Sequence, residues 1–177
     1  VTQAVSRMKD GTPGPGNTLL AKNVRHVQQA VRQYHGRVGR HNRQSLLVIP
    51  QEEVKRADPN LRSVAVVGGS PDGRSHLSWN TRTVARRQAN VCEEHGWRKV
   101  VVITFDLNMR RAMETYRLLG LQPIAGPAID VAYIPDYVHW GMRTKWRAFC
   151  REFMLQNVFL GSGKYLQWRD KERGEYR

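Results

Sequence analysis

The sequence predicts an α/β domain with a mainly parallel sheet, and three observations predict it. Val100 to Ile103 is a continuous β-branched run, too short for a helix, which reads as a strand covered on both faces. A helical pattern follows almost at once: Met109, Ala112, Met113, Tyr116 and Leu119 share one face, Arg110, Arg111, Glu114 and Arg117 occupy the others, and Gly120 can supply a left-handed stop. The same order occurs earlier, with a strand at Ser63 to Val67, a glycine-rich loop, and a helix from Thr81 to His95 that Asn80 caps and Gly96 closes. A right-handed crossover between such units makes their strands parallel. It brings loops 68–80 and 104–111 to one sheet edge, where ligands of these folds sit.

Length and composition bound the rest. A chain of 177 residues suits a single core, so the expected organisation is an extended arm over 1–17, one domain over 18–166 and a charged tail over 167–177. The formal charge is +14, and 22 of the 29 basic residues are arginine. Such a field attracts phosphate in RNA, DNA or an anionic membrane surface; the plainer reading is a solvated basic surface. No apolar run approaches the ~18 residues of a membrane span, which excludes a spanning helix and leaves surface contact. Cys92 and Cys150 both fall in apolar helical stripes, as small core residues of a reducing compartment do, rather than in a disulfide or zinc pattern. The sequence begins at Val1 without a methionine or a signal-peptide core, which fits either a removed targeting segment or a trimmed chain.

In chain order, residues 1–17 carry Gly11, Pro13, Gly14, Pro15 and Gly16 and no periodic pattern, hence the arm. Leu20, Val24, Val27, Val31 and Tyr34 then make a helical stripe, with Thr18 as N-cap and Gly36 as stop. Residues 35–44 form a basic loop; His35 and His41 lack the cysteine or carboxylate that a metal site would need. Ser45 to Ile49 reads as a buried strand ended by Pro50, and Gln51 to Arg56 as a turn or short helix. Beyond Gly120 come a short strand at Leu121 to Ile124, an apolar alternation at Ile129 to Ile134, a turn at Pro135, and a long helix from about Gly141 to Phe159. In that helix Met142, Trp146, Phe149, Cys150, Phe153 and Met154 are expected to pack on the core.

The candidate site lies at the two loops. Gly68 and Gly69 follow a strand as phosphate loops do, but the sequence is neither G-x-G-x-x-G nor a Walker motif, so they either turn the chain or admit a ligand to the backbone. Ser78, Asn80 and Thr81 stand at a helix start, where free N–H groups favour an anion, although capping alone accounts for them. Thr104, Asn108 and Arg111 surround the start of the next helix. An arginine there opposes the helix dipole, and it implies an acidic partner, an anionic ligand or plain surface placement.

Two motifs carry a resemblance. S-W-N-T-R-T-V-A (Ser78 to Ala85) and V-I-T-F-D-L-N-M-R-R-A-M-E-T-Y-R-L-L-G-L (Val102 to Leu121) resemble the SanA/ElyC/YdcF-like family, a domain of unknown function, across roughly residues 63–166. That family shows S-x-N-T-x-E-N-A and T-S-x-x-H-M-x-R-A. Ser78, Asn80, Thr81 and Ala85 match the first, and Thr104, Met109, Arg111 and Ala112 the second. The resemblance implies a Rossmann-like three-layer sandwich and a pocket lined by Gly68, Gly69, Ser78, Asn80, Thr81, Thr104, Asn108 and Arg111. The departures imply loss of chemistry: Thr83 and Val84 stand where the family has Glu and Asn, and Phe105 and Asn108 where it has Ser and His. The stretch from Gly69 to Ser78 is also short for the family. Asp72 and Asp106 are the nearby carboxylates, and His76 the one residue able to serve as a general base.

The expectation is therefore a basic accessory subunit without a catalytic residue, metal or cofactor. Its partners would be other protein subunits, with RNA or anionic lipid met through arginines, in a mitochondrial assembly such as a ribosome or a respiratory or ATP synthase complex, or else in the cytoplasm. The alternatives are a small-ligand protein of nucleotide or S-adenosylmethionine type, a hydrolase, and a free RNA-binding protein.

Overall fold

The computed structural model describes residues 1–4, 8–37, 48–68, 81–137, 140–155 and 157, without the side chains of 35–37 and 81. Among these the chain is mixed α/β, with five α-helices and one two-stranded parallel sheet. The predicted unit at its centre is present. Strand β1 (Lys99–Val102), helix α4 (Asp106–Leu118) and strand β2 (Gln122–Ala125) follow one another, and β1 pairs in parallel with β2 from Lys99↔Gln122 to Val102↔Ala125. Gly120 closes α4 at φ 83°, a conformation that costs a residue with a Cβ.

β1 alternates between two apolar clusters, as a period of two requires. Val100 and Val102 pack with Val84, Ala85 and Cys92 of α3 (Thr81–Glu94) and with Ala112 and Tyr116 of α4. Ile103, just past the strand, and Val101 face the other cluster, which holds Leu20 and Val24 of α1 (Pro15–Arg37), Val54 of α2 (Glu52–Ala57) and Ala148 of α5 (Lys145–Met154). Burial pushes the Cys92 thiol up from its ordinary value, in keeping with a core side chain.

Several expected elements differ. Helix α1 starts at Pro15 instead of at a Thr18 cap, because proline's fixed φ and missing N–H suit a first helical turn. The arm before it is part of the fold: Thr2 forms a parallel bridge with Ile103, Ile103 N donates to Val1 O at 3.0 Å, and Met8 bridges Tyr137. The strand expected at Ser63 to Val67 reduces to one parallel bridge, Gln51↔Val67. Pro50 supplies the reason. Val67 N donates to Pro50 O and Glu52 N to Val67 O, both at 2.9 Å, but a ladder continuing towards Val48 needs an N–H that Pro50 lacks. Of the strand expected at 45–49, residues 45–47 lie outside the description, while Val48 and Ile49 are buried in irregular backbone. The alternation at Ile129 to Ile134 likewise contributes one bridge, Phe105↔Ile129, beside buried Ile129 and Val131.

The last helix departs most. A 3-10 turn over Trp140–Met142 is followed by extended backbone at Thr144, whose Oγ1 caps α5 by accepting from Arg147 N at 3.3 Å. This break resets the helical phase. Ala148 and Glu152, four residues apart, turn inward, whereas Trp146 (71% exposed), Phe149 (48%), Phe153 (58%) and Met154 (57%) face out; only Met142 of the expected core face is fully buried. No described helix is long and apolar enough to cross a membrane.

Candidate functional site

The carboxyl end of β1 runs through Ile103, Thr104 and Phe105 into α4, whose first turn carries Asp106, the sign of charge the dipole favours. Asn108, one turn into the structure from Thr104, is buried, and its Nδ2 donates to Thr104 Oγ1 at 3.0 Å and to Gln3 Oε1 at 2.9 Å. Thr104 Oγ1 donates in turn to Gln3 O at 3.4 Å. Gln3, from the expected arm, therefore lies at the carboxyl end of β1, bonded to both side chains.

The polar chain continues inward. Gln3 Nε2 donates to Tyr116 Oη at 3.4 Å, and the Tyr116 hydroxyl donates to Gln88 Oε1. Gln88 Nε2 donates to Thr2 O at 2.9 Å and to Ile49 O at 2.7 Å, so one fully buried amide from α3 joins two segments that lack a regular ladder between them. Gln51 completes the clamp: its Oε1 accepts from Ala4 N at 2.7 Å and its N donates to Thr2 Oγ1 at 3.2 Å. Buried amides with this many partners hold one arrangement, since any other strands them without water. One acceptor in the cluster is left over: Asn108 Oδ1 is buried without a hydrogen-bond partner.

Arg111 finds its acidic partner inside the chain. Its Nε donates to Glu152 Oε2 at 2.6 Å and its Nη2 to Glu152 Oε1 at 2.8 Å, a two-pronged pair joining α4 to α5, and Arg151 also meets Oε1. Burial alone would raise the Glu152 carboxyl. The hydrogen bond and charge of Arg111, with the charge of Arg151, outweigh that and hold it below the ordinary glutamate range. The guanidinium is thus satisfied without an external anion, and of the three outcomes its place near a helix start implied, the acidic partner is the one present, as Glu152 of the same chain.

Of the predicted pocket residues, the structure brings Thr104 and Asn108 together around Gln3 and sets Arg111 one helical turn further on, in its own pair. Gly68 serves the fold: a Cβ there would lie 2.1 Å from Glu52 Cβ and 2.7 Å from Glu52 Oε2, so the close approach it permits is that of Glu52 rather than of a ligand. Gly69, Ser78 and Asn80, with Asp72 and His76, lie outside the described residues, and so does the side chain of Thr81 at the start of α3. Two positions that depart from the family pattern are core: Val84 packs beside α4 and Phe105 on the opposite cluster. Among the described residues no group of three or more His, Cys, Asp or Glu side chains could hold a metal.

Sequence reasoning missed Gln3 and Glu152. Nothing marks Gln3 in a patternless arm, but a lone carboxylate four residues after Ala148 in an arginine-rich chain was a visible sign of a buried pair. No match was found between this chain and any protein-family model, curated protein or solved structure.

Proposed function

We propose that this chain is a basic, non-catalytic accessory subunit of a larger assembly, of the kind found in mitochondrial ribosomes or respiratory and ATP synthase complexes. Its domain is read as a degenerate Rossmann-like three-layer sandwich similar to SanA/ElyC/YdcF-like proteins. The layering is supported by the opposite clusters on the two faces of β1 and by the parallel bridges Thr2↔Ile103 and Phe105↔Ile129, in the segment that follows β1.

One observation carries the functional reading: Thr2 and Gln3 sit at the carboxyl end of β1, and the expected pocket side chains Thr104, Asn108 and Arg111 are bonded within the chain. A hydrolytic site needs a titrating group or metal ligand there, and Val84 and Phe105 are packed core instead. The excess of +14 charges then serves contact with acidic subunits, RNA or anionic lipid.

The test pairs sedimentation of the full chain in native extract with hydrolysis assays on phosphate and ester substrates. Expected are co-sedimentation with a large complex and no turnover, by the wild type or by the Asn108→His, Thr83→Glu double variant. Wild-type turnover abolished by His76→Ala or Asp106→Asn overturns the reading. The unpartnered Asn108 Oδ1 favours a second reading, a pocket for a donor-bearing ligand of nucleotide or S-adenosylmethionine type. A thermal shift with adenosine monophosphate or S-adenosylmethionine that Asn108→Ala removes would select it. RNA affinity falling about tenfold or more over a modest salt increase would select the free RNA-binding protein.

A further inference from the structure

Helix α5 exposes aromatic side chains at positions i, i+3 and i+7, namely Trp146, Phe149 and Phe153. Their rings form a single file: Trp146 and Phe149 centroids are 5.9 Å apart with planes 22° from parallel, and Phe149 and Phe153 are 6.3 Å and 23°. Trp140, also exposed, flanks the file beneath the Arg147 guanidinium, 5.1 Å from its ring centroid. Leaving a row of such rings in water is a standing cost that an interface removes. We propose that this stripe is a docking surface, and that its occupant is an apolar groove with an acidic rim on a different protein. The proposal rests on the accessory-subunit reading and names the surface that would serve it.

Charge and geometry select that occupant. A second copy of the chain would bring another +14 against the first, which opposes self-association through this face. An RNA strand needs open ring faces and free cationic forks. Here the faces within the file are turned towards one another, Arg143 Nε donates to Tyr137 O at 2.9 Å, Arg151 is paired with Glu152, and Arg147 lies over Trp140. An anionic lipid surface calls for several exposed cations along the stripe, and of Arg143, Lys145, Arg147 and Arg151 only Lys145 is exposed. The spacing matches a helix whose apolar face enters a protein groove, and exposed Lys145 at its start supplies a positive edge for acidic groups on its rim.

The full chain, tagged, is sedimented in native extract as wild type and as Trp146→Ser and Phe149→Ser, and a photocrosslinking residue at position 149 identifies what lies against the stripe. Expected are wild type in the assembly, both variants released with at least about a tenfold loss of affinity, unchanged circular dichroism and melting, and crosslinks to an Asp- and Glu-flanked apolar segment of another protein. Wild type running alone overturns the accessory-subunit reading and this surface together. Wild type and both variants remaining in the assembly overturns the surface only. Crosslinks to RNA or to a second copy, or binding to phosphatidylserine vesicles that Phe149→Ser abolishes, also overturn it by naming another occupant.

Discussion

The start of α4 and the outer face of α5 invert each other. At α4 the side chains that sequence reasoning reserved for a ligand, Thr104, Asn108 and Arg111, are buried and bonded within the chain, while on α5 the side chains expected in the core, Trp146, Phe149 and Phe153, face water. The Arg111–Glu152 pair is the hinge of this inversion, because turning Glu152 inward to meet Arg111 turns the aromatic stripe outward. Side-chain type alone therefore does not say which face of a helix is covered. A polar group is cheap to bury when its partners are supplied, and expensive when they are not.

The strongest way to break the comparison is to strand one charge. Glu152→Gln leaves the buried guanidinium without its anion, with an expected loss of about 3–5 kcal/mol by urea denaturation, and Glu152→Leu combined with Arg111→Met is expected to recover most of it. Full stability in the single variant would mean that the pair does not hold α5 in its phase. Next in size, Gln88→Leu removes the donor shared by Thr2 O and Ile49 O and the acceptor of Tyr116, costing about 2–3 kcal/mol and raising amide exchange over residues 1–4 first. A smaller effect reads the same pair through pH. The Glu152 carboxyl is lowered from 4.5 in the folded chain, so its contribution is complete above that value and is lost as the pH falls through the folded value, where the unfolded chain already holds the proton. Stability below about pH 4.5 should thus decline less steeply in Glu152→Gln than in the wild type; parallel profiles would assign the acid limb to other carboxylates. Smallest of all, Phe149→Ser is expected to change stability by no more than about 0.5 kcal/mol, since the ring is nearly half exposed. A larger loss would place that ring in the core and remove the contrast.

Legibility followed the range of the interactions. The unit β1–α4–β2, the short helix α2, the inward Tyr116 and the stop at Gly120 were readable because each rests on spacing within a few residues. Pro50 was read as a strand end, and the same missing N–H explains why Val64–Val67 gains no ladder. The site was readable only as a place. That Thr104 and Asn108 meet was implied by one helical turn, but that Gln3 fills the space between them joins residues 105 apart, through a segment with no pattern of its own.

By itself, the sequence determined the α/β class, the strand–helix–strand unit at the centre, the surplus of arginine and the lack of an apolar run long enough to span a membrane, all of which depend on composition or on local periodicity. Tertiary structure decided the rest. The arm bridged to the chain just past β1 because Ile103 offered it main-chain groups and Gln88, Gln51 and Asn108 offered it side-chain partners. The aromatic face of α5 turned outward because a break at Thr144 reset the helix and a buried guanidinium on α4 required Glu152. Both outcomes are set by satisfying polar groups removed from water, and the identity of those partners is fixed only when distant segments meet.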